Sequence, residues 1–334
     1  MTEHTHETRS PHDHGHEDRD HQGHGHDHAH GHGHAHGVPV DATAATLRLF
    51  AIGIAINLGF VFIEAGFGWW ADSLALLADA GHNFGDVIGL ALAWGAAVLG
   101  SRKASGRFTY GLGGTTILAA LANAMLLLIA VGGIVYAAVQ RLMVPAPIDD
   151  TIVIWVAAVG VSVNAATAML FLSRRGDDLN VRGAYLHMVA DAAVSFGVVV
   201  AGLVIRYTGV VWIDPLMGLV IAVVILVGTW GLMRDSMRLA LAAVPEHIDV
   251  EAVRGYLEGL PGVDGVHDLH IWAMSTSENA LTAHLVMPAG HPGDAFLCDV
   301  ADTIEARFRI GHVTTQIETD DGPSPCKLET AHAA

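Results

Sequence analysis

Charge is scarce in this chain. Only 15% of its 334 residues are Asp, Glu, Lys or Arg, against about 25% in an ordinary soluble protein. The shortage is local: residues 151–172 carry no charge, and neither do 112–140 or 216–233. About 20 helical residues cross a hydrocarbon core of ~30 Å, so these runs exclude a wholly soluble fold. Cysteine is also rare. Cys298 and Cys326 are the only two, which excludes a disulfide framework and fits a reducing, cytosolic setting. No short apolar core with a cleavage site opens the chain, so no cleaved signal peptide is expected. Few basic residues cluster in any soluble part, so the net charge of −17 goes with no nucleic-acid partner. The phosphate-binding pattern GxxxxGK[ST] and the zinc-protease pattern HExxH are both missing, which argues against an ATP-driven pump and a metalloprotease-type enzyme.

Six apolar segments are present, at about 47–69, 73–99, 112–138, 151–172, 180–205 and 212–233. Basic residues set their direction. Arg48, Arg102, Lys103, Arg107, Arg174, Arg175, Arg182, Arg234 and Arg238 fall on one side, against Arg141 and Arg206 on the other. The side rich in Lys and Arg faces the cytoplasm, so both termini are expected there and the number of spans is even. Residues 1–37 hold 13 of the 22 histidines, mostly alternating with small residues. This tail cannot bury a core and is read as disordered, either inert or a weak multivalent metal buffer. A six-helix, all-α membrane domain is expected over 45–238. From about residue 245 the pattern becomes αββαβ, a small cytosolic α+β domain over 245–321, and 322–334 reads as a disordered end.

Two segments break the apolar rule. "GHNFGD" places His82 four residues before Asp86, and "YLHMVADAAVSF" places His187 four residues before Asp191. A charged carboxylate at the bilayer centre costs about 2.5–3.5 kcal/mol even on lenient scales. The four-residue spacing puts each pair on one helix face. At 1.5 Å per residue, Asp86 lies ~20 Å along the second span and Asp191 ~17 Å along the fifth, both near mid-membrane. Each pair alone could be a hydrogen-bonded couple joining helices. Two matching pairs at one depth instead offer two imidazoles and two carboxylates, a set suited to tetrahedral Zn2+. Four protein ligands close the coordination shell, and water activation by a catalytic zinc needs an open position. Asp79, one turn before His82, could guide the ion or serve structure. Glu64 could lie on an exit path or behind the ligands, while Asp72 and Asp214 read as interfacial.

Six spans, paired ligands in spans two and five and an α+β tail resemble the cation diffusion facilitator family, nearest its bacterial zinc, cobalt and cadmium efflux branch. "DSLALLADAGHNFGD" (Asp72–Asp86) looks like the family's second-span signature, "RFTYG" (Arg107–Gly111) its following loop, and "VHDLHIW" (Val266–Trp272) the start of its cytosolic domain. The likeness covers about residues 45–320. It implies a homodimer in the bacterial cytoplasmic membrane that exports divalent metal in exchange for protons, with a ferredoxin-like cytosolic domain and no nucleotide. The transport site then falls on His82, Asp86, His187 and Asp191. His in the first of these positions accompanies a preference for zinc over cadmium. Cytosolic metal ligands carry over as His267, His284 and Glu318, with Gln316, Cys298 and His312 as weaker candidates. No histidine lies between His82 and His187, so the extra metal site that some members hold between spans two and three is expected to be absent. Broader export of Cd2+, Co2+ or Ni2+ by the same ligands, a metal-gated channel and a metal sensor are the alternatives.

Overall fold

The computed structural model describes residues 44–172 and 179–319. The His-rich tail 1–37, the end 322–334, Arg174 and Arg175 lie outside the described residues. Six long helices come first: α1 (Ala44–Trp70), α2 (Leu74–Gly100), α3 (Thr115–Met143), α4 (Asp150–Leu172), α5 (Leu179–Thr208) and α6 (Ile213–Ala240). Each covers one expected span. By length and composition α2, α3, α6 and most of α4 and α5 can cross a membrane, and α1, with 27 residues, matches them in length. Large apolar side chains such as Ile129, Trp155 and Val227 point outward, while Ala75, Ala78, Ala124, Ala157 and Ala222 are buried. That inversion of a soluble core is how helices pack where lipid is the solvent. A Cβ on Gly202 of α5 would lie 2.8 Å from Ile154 Cγ1 on α4, so the missing side chain sets how near these helices come.

The helix ends are tied together. Asp214, at the start of α6, accepts hydrogen bonds from Ser73 Oγ (2.5 Å), Leu74 N (2.8 Å) and Ala75 N (3.4 Å) at the start of α2. Ser73 itself caps α2 by accepting from Leu76 N. Asp149 N donates to Ala71 O, bringing the start of α4 to the same place, and Arg206 at the end of α5 pairs with Asp150 at 3.9 Å. The starts of α2, α4 and α6 and the end of α5 therefore share one end of the bundle, and α5 runs opposite to α2. Asp72 is exposed and pairs with Arg141 at 2.6 Å. Asp214 is 1% exposed. Its carboxylate replaces water at backbone donors that a helix start leaves unsatisfied.

The chain then forms α7 (Val250–Glu258), β1 (Gly265–Ala273), β2 (Asn279–Val286), α8 (Asp294–Phe308) and β3 (His312–Glu318). The expected αββαβ order is the observed one. The sheet order is β1-β2-β3, with β1 antiparallel and β3 parallel to the central β2. Leu281 and Leu285 of β2 pack with Val253 and Leu257 of α7 and Val300 and Ile304 of α8. Strand alternation sends His284 to the opposite face of the sheet. The turn after β1 meets the membrane helices, with Thr276 N donating to Thr116 Oγ1 of α3 at 3.1 Å. Glu246 also pairs with Arg234 at 3.1 Å and with Arg238.

Asp214→Ala strips the partners from three donors at the start of α2. Leaving buried donors unsatisfied costs about 1–3 kcal/mol each. A lower midpoint of thermal unfolding in detergent is expected, partly recovered in Asp214→Asn; an unchanged midpoint for the alanine variant contradicts the clamp.

Candidate metal centres

His82 and Asp86 stand eight and twelve residues on from Leu74, the first residue of α2; His187 and Asp191 stand eight and twelve on from Leu179, the first of α5. The two pairs therefore occupy equal offsets on helices of opposite direction, and they meet. His82 Nε2 lies 3.8 Å from Asp86 Oδ2 and 3.7 Å from Asp191 Oδ1. His187 Nε2 lies 3.1 Å from Asp86 Oδ2 and 3.4 Å from Asp191 Oδ2. Each imidazole nitrogen is thus flanked by both carboxylates. Metal bonds of ~2.0–2.1 Å in a tetrahedron require ligand atoms ~3.3 Å apart. The four measured separations, the His–Asp edges among the six of a tetrahedron, bracket that length. The imidazole rings are nearly perpendicular, with centroids 6.0 Å apart.

Asp79 and Glu64 are both fully buried. Asp79 Oδ2 accepts from Ser195 Oγ at 2.8 Å, so it touches α5 one turn beyond Asp191. Glu64 lies on α1, outside the four-residue ring.

A second group sits on the sheet face turned away from α7 and α8. Register places His267 opposite His284 and His284 opposite Gln316, with Glu318 two residues further along β3. Glu318 Oε2 lies 2.9 Å from His267 Nε2, and Glu318 Oε1 lies 2.8 Å from His284 Nδ1. Among the described residues, these three side chains offer ligand atoms all within 4.8 Å of one another. Two imidazoles and a carboxylate suit a borderline divalent ion such as Zn2+. Gln316 Nε2 donates to Glu318 Oε1 at 2.9 Å, so it steadies the carboxylate. His312 and Cys298 do not join this group. His312 starts the strand that Glu318 ends, about 20 Å away at ~3.3 Å per residue, and its ring packs edge-on against Tyr110 with centroids 5.3 Å apart. Cys298 is exposed on α8.

Sequence reasoning passed over Asp268, whose Oδ2 is 3.5 Å from His284 Nε2. In a regular strand it would face away from His267. The signal available was an aspartate, a poor strand former, set directly after a candidate ligand.

Comparison with known proteins agrees with this architecture. Residues 50–239 match the family model described as the cation efflux transmembrane domain, and residues 245–320 the cytoplasmic domain of cation efflux proteins. The chain belongs to the cation efflux family and is a multi-pass membrane transporter, not an enzyme. It is 34% identical to the metal cation efflux system protein CzcD of Cupriavidus metallidurans, covering 84% of this chain and 88% of that protein. It is 35% identical to a cadmium, cobalt and zinc/H(+)-K(+) antiporter of Bacillus subtilis, covering 78% and 86%. It is 32% identical to zinc transporter ZitB of Escherichia coli, covering 83% and 88%.

The cytosolic group yields a binding prediction. In protein carrying Asp86→Ala and Asp191→Ala, Glu318→Ala is expected to remove most of the remaining tight zinc binding, read by competition with a chromophoric chelator. Full retention excludes Glu318 as a ligand.

Proposed function

We propose that this protein exports divalent metal, with Zn2+ preferred, from the bacterial cytosol in exchange for protons, and that His82, Asp86, His187 and Asp191 hold the ion in transit. The observation that carries the proposal is the alternating ring of two imidazoles and two carboxylates, with edges of 3.1–3.8 Å. The relatives' names support the cargo: one is a zinc transporter, another an antiporter for cadmium, cobalt and zinc. Nitrogen and oxygen donors without a thiolate favour Zn2+ and Co2+ over the softer Cd2+.

The chemistry of exchange follows from the ligands. Two carboxylates offset the charge of a bare divalent ion at a depth where neither could remain alone. An imidazole binds metal only when neutral, and its reference pKa is ~6.5. Protons arriving from an acidic far side therefore compete with the ion, and metal arriving from the cytosol displaces them. Alternate exposure of the ring to the two sides turns that competition into antiport without a nucleotide. In the cytosolic domain His267, His284 and Glu318 would hold a resident ion. Such an ion would join β1, β2 and β3 across one face, and the match to the family's cytoplasmic domain supports a homodimer formed through it. The excess of Lys and Arg on one side of the spans supports cytoplasmic termini.

Three measurements in proteoliposomes bear on this. Asp191→Ala should abolish zinc uptake while leaving insertion and dimer size intact; near-wild-type uptake removes Asp191 from the path. Uptake should collapse when the pH gradient is dissipated, whereas a channel continues down the zinc gradient alone. Deletion of residues 1–37 should lower metal loading or shift apparent affinity without stopping transport; complete loss makes the tail part of the path.

A further inference from the structure

Asp268 occupies a backbone conformation that needs a reason. Its φ is +49°, a left-handed state costing a non-glycine residue roughly 1–2 kcal/mol. It lies where the register of β1 against β2 slips: His267 faces His284 and His270 faces Thr282, three residues on β1 against two on β2. This is a bulge with one extra residue. Val266, Leu269 and Ile271 all pack on the helix side of the sheet. Strict alternation from Val266 would instead bury Asp268 among them. The bulge spares it that burial and brings its carboxylate to the face that holds His267 and His284. There Oδ2 lies 3.5 Å from His284 Nε2, while Oδ1 lies 2.9 Å from His270 Nε2. Strained residues of this kind persist where the surroundings hold them, often at ligand sites.

We propose that Asp268 is the positioning residue that accepts a hydrogen bond from the Nε2–H of His284 and so leaves His284 Nδ1 as the metal-binding nitrogen. The inference rests on the cytosolic group binding a metal. A neutral imidazole carries one N–H and one lone pair. On the Nδ1 side, Glu318 Oε1 is 2.8 Å away, yet Nδ1 makes no hydrogen bond. Nitrogen and carboxylate lie side by side there, and an ion between them would part them by about 0.5 Å to reach the tetrahedral edge. With Nδ1 on the metal the proton belongs on Nε2, and the carboxylate on that side is Asp268. The separation of 3.5 Å is long for a hydrogen bond, and the proposal requires it to shorten when metal is bound. His270, on the other carboxylate oxygen, keeps Asp268 turned toward His284. Carboxylates placed this way behind a ligating histidine fix its tautomer and orientation, and their loss weakens metal binding about 10–100-fold.

The test uses the full chain in detergent with Asp86→Ala and Asp191→Ala silencing the membrane ligands. Two further variants separate backbone from carboxylate. Asp268→Gly accepts the positive φ without strain but lacks the acceptor; Asp268→Asn tolerates the same φ and keeps an oxygen for the Nε2 proton. Zinc affinity is read by chelator competition. The proton's position is read from ring-nitrogen resonances of 15N-histidine-labelled, zinc-loaded protein. Asp268→Gly should bind zinc about 10–100-fold more weakly, with loss of the Nδ1-bound, Nε2-protonated signature of His284. Asp268→Asn should retain that signature and most of the affinity. Wild-type affinity and an unchanged signature in Asp268→Gly overturn the inference while leaving the metal site standing. If Glu318→Ala leaves the zinc affinity of the background protein unchanged, the metal site itself is overturned, and this inference with it.

Discussion

Four ionisable side chains inside a hydrocarbon slab are the constraint on which the rest depends. Bare carboxylates are costly there, and the protons or the cation that the proposed exchange brings to the four would offset that cost. Sharing a cation demands that two helices far apart in sequence bring equal offsets to one level. The bundle is arranged to hold them there: α2 is fastened at its start by Asp214 of α6, and α5 is fastened at its end to α4 through Arg206 and Asp150. Those ties lie far from the ring. Helix rigidity carries their precision inward, about 18 Å at 1.5 Å per residue.

The two groups of ligands differ in ways that suit different tasks. The membrane set spans two helices joined to each other by no loop, and its ligand atoms are spread over 3.1–3.8 Å. The cytosolic set sits on three paired strands, with contacts of 2.8–2.9 Å and support from Gln316 and Asp268. Hydrogen-bonded strands cannot move apart without breaking a ladder, whereas two helices can slide. The first arrangement suits the proposed passage of an ion, the second a resident one.

Much of this was legible from residue order, because membrane burial makes polarity conspicuous. The six long helices, five of them long and apolar enough to cross a membrane among the described residues, and the meeting of His82, Asp86, His187 and Asp191 follow from apolar length and i,i+4 spacing. The ends of α3 and α6 ran further than expected, to Met143 and Ala240. Charge marks where lipid stops, not where a helix stops: Arg234 and Arg238 continue α6 beyond the slab. The partners of Asp214 were not legible because they lie about 140 residues away at Ser73–Ala75, and no local pattern announces that neighbour. Asp268 was missed for the opposite reason. Alternation is the rule by which strands are read, and a bulge changes face through backbone torsion alone. His312, a weaker candidate, shares a strand with Glu318, but the strand's length separates them.

The equal offsets on antiparallel helices have a mechanical meaning. Each His–Asp pair is held together by its own helix turn and survives any rigid movement of that helix. The contacts between pairs belong to the gap between α2 and α5. A relative slide of one helical turn, ~5.4 Å, would carry every cross contact out of bonding range while leaving both pairs whole. The ring is therefore two His–Asp claws facing each other, and on the proposed function parting them would release an ion without unwinding any helix.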